Sequence, residues 1–454
     1  MNTNTVGTAR RVPGWLIGAC ALIAAQTVAG PLGCETARGV RKDFALLTSS
    51  GAKDTSAVGK FAFTDEPDVR VRIAGGVSSK AVSGVPEIVV RPVAGAEGSP
   101  VVVKTPATVT SSASGVKVVH PAGQATFGFG VDVEIAPKDT GGSLLLDKVR
   151  YPGVVAIRPR WSGAPGAFDV IVSMPVESYL PGVLTHELWK DWPRQTYEAQ
   201  AIAARTYALH ERSRARIQGR PYDVEDTTND QVYGGATAAA KPNEAARATR
   251  GLVLVSDGRL LRAYYSSTCG GRAASAAAVW KTTQGYEFNL ADPLQGKERP
   301  HACQGSKWYR WEATRSDDDV TQRLRAWGRQ FEHDVATIGR VRQATVAKTN
   351  DAGRPDRFTL TDDKGRTYSL TSEELRMALN QTGAGLAPIP ADAVVRSGDM
   401  QIEVWANQVK ITGRGWGHGV GMCQWCAKGL ADQGQDWASM IREFYPGAEV
   451  VKAY

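Results

Sequence analysis

The sequence predicts an α+β protein: a β-rich N-terminal domain, then a mixed α/β domain interrupted by an inserted α+β module. Three observations carry that reading. Between about Phe61 and Val172, apolar alternations such as Val69-Arg70-Val71-Arg72-Ile73 and Val131-Asp132-Val133-Glu134-Ile135 are separated by Gly, Pro and Ser, the period of half-buried strands. Ala199, Ile202, Ala203, Thr206 and Leu209 then recur at the spacing of one helix face. A differently patterned, charged stretch from about Trp308 to Thr412 precedes a return to Gly- and Trp-rich sequence at Gly413. A chain of 454 residues, 42% hydrophobic, with 48 Gly and 23 Pro, exceeds one ordinary core and leans toward strands and loops rather than a helical bundle.

Residues 1–34 begin with Arg10 and Arg11, continue in the run Val12–Ala29 and end in Gly30-Pro31-Leu32-Gly33-Cys34. That is the layout of a secretory signal, and the Gly before Cys34 resembles a lipoprotein cleavage box. A lipid on Cys34, an ordinary cleaved signal and an uncleaved anchor all fit. Each takes the body out of the cytoplasm to the cell envelope, with a membrane tether available through the N-terminus. No later segment has the run of about 18 apolar residues that spans a bilayer. Residues 35–60 read as a linker. Residues 61–167 form the β-rich domain, which has no cluster of chemically suggestive side chains and is expected to support or bind.

The motif-bearing domain comprises residues 168–307 and 413–454. It is expected to contain a helix over Glu198–His210, a second over Asn243–Thr249 stopping at Gly251, and a hairpin around Asp257-Gly258. In the module, residues 308–412, a helix around Val320–Arg329, strands about the Asp351-Ala352-Gly353 turn and a helix at Ser372–Asn380 are expected. The formal charge is +8, and losing residues 1–33 removes two arginines and no acid. A modestly basic exported surface suits an anionic wall polymer. Nucleic acid is excluded as a partner, because no basic run has interleaved aromatics.

Three segments concentrate chemistry. The first runs from Pro175 to Leu188, PVESYLPGVLTHEL, followed by Trp192-Pro193 and EAQAIAARTYAL. Glu187 lies beside Leu188, Trp189 and Trp192, apolar side chains able to raise its pKa and keep it protonated as a general acid requires. The plainer reading is a favourable charge near a helix start. Glu177 and Glu198 are competing carboxyls that read as solvated. The second segment is DTTNDQVYGG, Asp226–Gly235, with YYSSTCGGRAASAAAVW after it. Thr228, Gln231, Tyr233, Ser266, Ser267 and Thr268 supply the donors and acceptors of sugar recognition, or merely turn chemistry. The third is GRGWGHGVGM, Gly413–Met422, then Cys423-Gln424-Trp425. Alternating Gly lets the backbone approach another strand closely while the His418 ring points into a cleft.

Taken together, these segments resemble the sporulation stage II protein D family over about Phe168–Ala302 and Ser372–Glu449. The resemblance implies a lytic transglycosylase acting on peptidoglycan glycan strands. Glu187 matches the family's catalytic glutamate, protonating the glycosidic oxygen and then serving as base on the muramic 6-hydroxyl, which leaves 1,6-anhydro ends. The substrate-binding candidates are Arg205, which matches the family helix's arginine, Thr228, Gln231, Tyr233, Ser266, Ser267, His418 and Gln424. His418 is expected to orient ligand or to hydrogen-bond Glu187. No cofactor is required. Some relatives enhance a partner amidase, so a wall amidase is a candidate partner and a non-catalytic enhancer the alternative. A hydrolase using Asp226 or Asp230 as second carboxylate is a third reading.

Four cysteines follow the leader: Cys269, Cys303, Cys423 and Cys426. A tetrahedral zinc site, with His301 or His418 in reserve as a ligand, two disulfides, and free thiols all remain open. A zinc here would be structural, since no H-E-x-x-H spacing is present.

Overall fold

The computed structural model describes residues 58–454, save 94–95, 140 and 299–300. The proposed leader and most of the linker lie outside the described residues. Two packed sheets dominate the N-terminal half. One has seven strands in the order Val224–Glu225, Asp68–Val77, Phe168–Pro175, Val154–Pro159, Val133–Pro137, Glu87–Pro92, Val101–Lys104. The other has six, in the order Val149–Tyr151, Leu144–Leu146, Ser79–Ser83, Ala107–Ser112, Gly115–His120, Gly123–Gly128. Alternation explains them: Val69 and Val71, and Ile88 and Val90, are fully buried while their neighbours are not. The same core continues into Tyr179, Val183, Leu209 and Val253. The β-rich half therefore packs directly on the motif-bearing half across Phe168–Pro175 and the parallel strand Val224–Glu225.

Helix α1 spans Val176–Glu187, α2 Arg194–Gln218, α3 Ala240–Ala248 and α4, a single turn, Ala276–Val279. The 25-residue α2 extends well beyond the predicted periodic stretch and ends at Gly219 in the left-handed conformation (φ 69°). The hairpin at Asp257-Gly258 forms with positive φ at both residues. Its strand Leu252–Ser256 also pairs with the closing strand Glu449–Lys452.

In the module, α5 (Asp317–Phe331) and α6 (Ser372–Leu379) pack with two three-stranded antiparallel sheets around Trp311, Leu324, Phe358 and Leu370. Ser316 caps α5 and a capping box with Thr371 and Glu374 opens α6. Two short helices, α7 (Gln424–Asp432) and α8 (Trp437–Phe444), complete the chain. Among the described residues no helix is long and apolar enough to cross a membrane.

Candidate active site

Glu187 is the last residue of α1, so the expected position near a helix start is corrected. The helix runs through Pro181 and Gly182. Gly182 is required there because a Cβ would lie 2.4 Å from both the Tyr233 ring and the Gly235 carbonyl. At a helix C-terminus the unpaired carbonyls oppose a negative charge. The half-buried Glu187 carboxyl opens into a cavity of about 1190 Å³. Gln424 Nε2 donates to its Oε2 at 3.1 Å and the Val232 N–H to its Oε1 at 3.4 Å. Burial raises its pKa above the ordinary range, and bonds from Gln424, Val232 and Tyr265 act against that without reversing it. The expected aromatic wall lies elsewhere: Leu188 and Trp192 join a separate apolar cluster with Leu184 and Tyr197.

Behind the acid stands a fixed chain of donors. Tyr179 OH donates to Gln231 Oε1 at 3.2 Å, and Gln231 Nε2 donates to the Tyr265 hydroxyl at 3.0 Å. That hydroxyl is thereby free to give its own proton to Glu187. Gln424 is aimed by position, opening α7, and by a 3.5 Å bond to Gln200 Oε1.

The glycine string does what its spacing anticipates. Gly415 and Gly421 have φ of 76° and 64°, and a Cβ on either would come within 2.3 Å of the carbonyl of Thr268 or Tyr264 respectively. This contact pairs Tyr265–Ser266 with Met422–Cys423. His418 Nδ1 accepts from the Val420 N–H at 3.0 Å, and the ring also hydrogen-bonds the Tyr265 backbone. Burial, with Arg376 and Arg354 nearby, lowers its pKa to about 4 against the pull of Glu373. It is neutral, lines the cavity and holds Tyr265 in place; the hydrogen bonds to Glu187 come from other residues.

The cavity brings together Glu187, Thr228, Ser266, Ser267, His418 and Gln424. Ser266 Oγ accepts from the Gly419 N–H at 3.1 Å, and exposed Thr228 sits at the rim. Three expected substrate-binding residues lie outside it. Arg205 is 0% exposed, clamped on Glu177 by bonds of 2.9 and 2.8 Å and on the Ala246 and Leu252 carbonyls at 3.1 Å each. Tyr233 is fully buried with its hydroxyl on Met174 Sδ. Gln231 is equally buried and touches the site only through Tyr265. Glu177 and Glu198 are corrected too: Glu177 neutralises Arg205, and Glu198 is 4% exposed against Arg194.

Tyr265 and Trp280 escaped the sequence reading. Trp280 stacks on Tyr264 at 3.9 Å and leans on His418 at 4.9 Å. Asp230 also lines the cavity, accepting from Tyr207 OH and the Glu225 N–H at 2.9 Å each. Burial and Glu211 raise its pKa to about 6. Asp226, pushed to about 7 by burial, accepts from the Tyr233 N–H.

Cys269, Cys303, Cys423 and Cys426 are buried and unbridged, with all four sulfurs within 4.8 Å of one another. The Cys269 sulfur lies 3.8 Å from that of Cys303 and 3.6 Å from that of Cys426. Disulfides need about 2.05 Å, whereas four thiolates about 2.3 Å from one zinc have sulfur–sulfur edges of about 3.8 Å. The set fits a four-cysteine zinc site without a histidine.

Residues 165–255 match a family described as stage II sporulation protein, and residues 281–421 match a domain of unknown function. The second match takes in the module together with Lys281 and His418. The chain is 29% identical over 314 residues to an uncharacterized protein of Brachyspira hyodysenteriae (strain ATCC 49526 / WA1), covering 69% of this chain and 75% of that one. It is 26% identical over 298 residues to the amidase enhancer of Bacillus subtilis (strain 168), covering 59% of this chain but 39% of the enhancer. It is 24% identical over 298 residues to stage II sporulation protein D of Bacillus amyloliquefaciens, covering 62% of this chain and 76% of that one. With residues 165–255 matched by the stage II sporulation protein family and both an amidase enhancer and stage II sporulation protein D among its relatives, the chain belongs to the sporulation stage II protein D and amidase enhancer family.

Proposed function

We propose that this protein cleaves peptidoglycan glycan strands at N-acetylmuramic acid as a lytic transglycosylase, with Glu187 as its acid and base. The observation carrying this reading is one carboxyl with a raised pKa, facing a cavity of about 1190 Å³ and held by Gln424, Val232 and Tyr265. In the first step Glu187 gives its proton to the departing glycosidic oxygen. Its carboxylate, steadied by the same three donors, then takes the proton of the muramic 6-hydroxyl as that oxygen bonds to C1. Water is not consumed, so one carboxyl suffices where hydrolases need two. Asp230 supports this by its engagement with Tyr207 and Glu225.

The four cysteines would hold a zinc whose coordination they saturate, so its contribution is structural. It would tie the Cys269 loop to the Cys423–Cys426 turn that aims Gln424.

Mass spectrometry of products from purified glycan strands tests the proposal. Anhydromuramic ends are expected from the native protein, falling at least about a thousandfold in Glu187→Gln. Reducing ends from the native protein would mean hydrolysis instead. The likeness to an amidase enhancer favours a second reading, a peptidoglycan-binding protein that stimulates a wall amidase. No strand release, with a purified amidase stimulated equally by native protein and Glu187→Gln, would select it. Export to the envelope, with a membrane tether available through the N-terminus, belongs to the same proposal.

A further inference from the structure

The module's wall of the cavity contains a group that the chemistry at Glu187 leaves unused. Strand Pro355–Asp362 and helix α6 pack against α4, so the cavity continues from Glu187 past Trp280 to Asp356, Arg357, Glu373 and Met377. Asp356 is 8% exposed and lines this space. Its carboxylate has no hydrogen bond or ion pair to any described residue; the groups that act on it do so through space. A carboxylate this enclosed and without protein donors is short of the hydrogen bonds it can accept, and this one holds no part of the fold in place.

The charges around it select the kind of donor it takes. Lys348, Arg354 and Arg357 lie near enough to lower its pKa, against Asp351 of like sign, while Glu373 in the same cavity is paired with Arg376. The Arg354 guanidinium is committed to the carbonyls of Arg272 and His418, and Arg357 bonds Ser369. Three nearby cations disfavour an incoming ammonium, such as a stem-peptide amine, and leave a neutral O–H or amide N–H as the matching group.

We propose that the module is a wall of the glycan groove and that Asp356 is the acceptor of a saccharide subsite on it, receiving a hydroxyl or N-acetyl N–H of an amino sugar. This rests on the glycan reading of the cavity. Burial, which raises the Asp356 carboxyl above its usual range, is relieved when such a donor arrives.

Calorimetric binding of peptide-free glycan oligosaccharides to the full chain tests it, all variants carrying Glu187→Gln so that nothing is cleaved. Adding Asp356→Ala is expected to weaken binding about tenfold or more, and Asp356→Asn, which keeps a carbonyl acceptor and the shape, about threefold. The asparagine variant preserves the test should alanine disturb folding. Unchanged affinity in both variants, or an effect confined to peptide-bearing chains, would overturn the subsite and leave the glycan reading intact. No glycan binding with Asp356 in place would overturn both.

Discussion

Glu187 holds its proton more tightly than an ordinary carboxyl because of burial at a helix C-terminus, and its three donors, neutral rather than cationic, oppose that without reversing it. The raised pKa has a consequence for stability with a definite sign. A carboxyl that holds its proton more tightly folded than unfolded lets the native state bind more protons. Stability therefore falls as pH rises from the unfolded value, about 4.3, through the raised folded one. Glu187→Gln removes that cost. Its melting temperature is expected to exceed that of the native protein at pH 7 and to converge with it near pH 4, as thermal melts across that range would show. A constant offset at all pH would assign the effect to packing instead.

At the level of elements, the Arg205–Glu177 pair explains how the acid-bearing helix is held. Arg205 on α2 reaches the start of α1 through Glu177, the end of α3 through the Ala246 carbonyl, and strand Leu252–Ser256 through the Leu252 carbonyl. Glu177 also receives the Gly251 N–H and the Tyr454 hydroxyl, at 3.0 and 2.6 Å. Arg205→Ala leaves a buried carboxylate short of its cation, and a loss of about 3–5 kcal/mol in denaturant unfolding is expected. A loss below about 1 kcal/mol would mean that the pair is dispensable. Arg205 stands out in the sequence as an arginine among alanines, but its partner is 28 residues away, so only packing distinguishes clamp from substrate contact.

For the molecule as a whole, the cysteines bring together segments far apart in the chain, which a bound zinc would fasten. Purified protein is expected to contain about one zinc per chain by atomic emission. Stripping it with a chelator should lower the melting temperature by about 5–10 °C, and Cys426→Ser should do so without chelator. Protein with native stability and no bound metal would show that packing alone suffices. The module likewise belongs to the groove: its α6 and strand Pro355–Asp362 line the cavity that Glu187 enters.

Strand alternation, the α2 periodicity, the hairpin glycine and the spaced glycines around His418 were legible in the sequence because each expresses a local constraint: pleat, helical pitch, positive φ, close approach. A string of motifs also singled out Glu187, which lines the large cavity. Tertiary structure alone decided the rest. Gly182 is needed inside α1 because Tyr233 packs where a side chain would be. Arg205, Gln231 and Tyr233 turn inward because their partners come from distant segments, and Tyr265 and Asp356 face the cavity for the same reason. Burial, which sets the pKa of Glu187 and the isolation of Asp356, depends on what the whole chain places around a residue, and no local pattern encodes it.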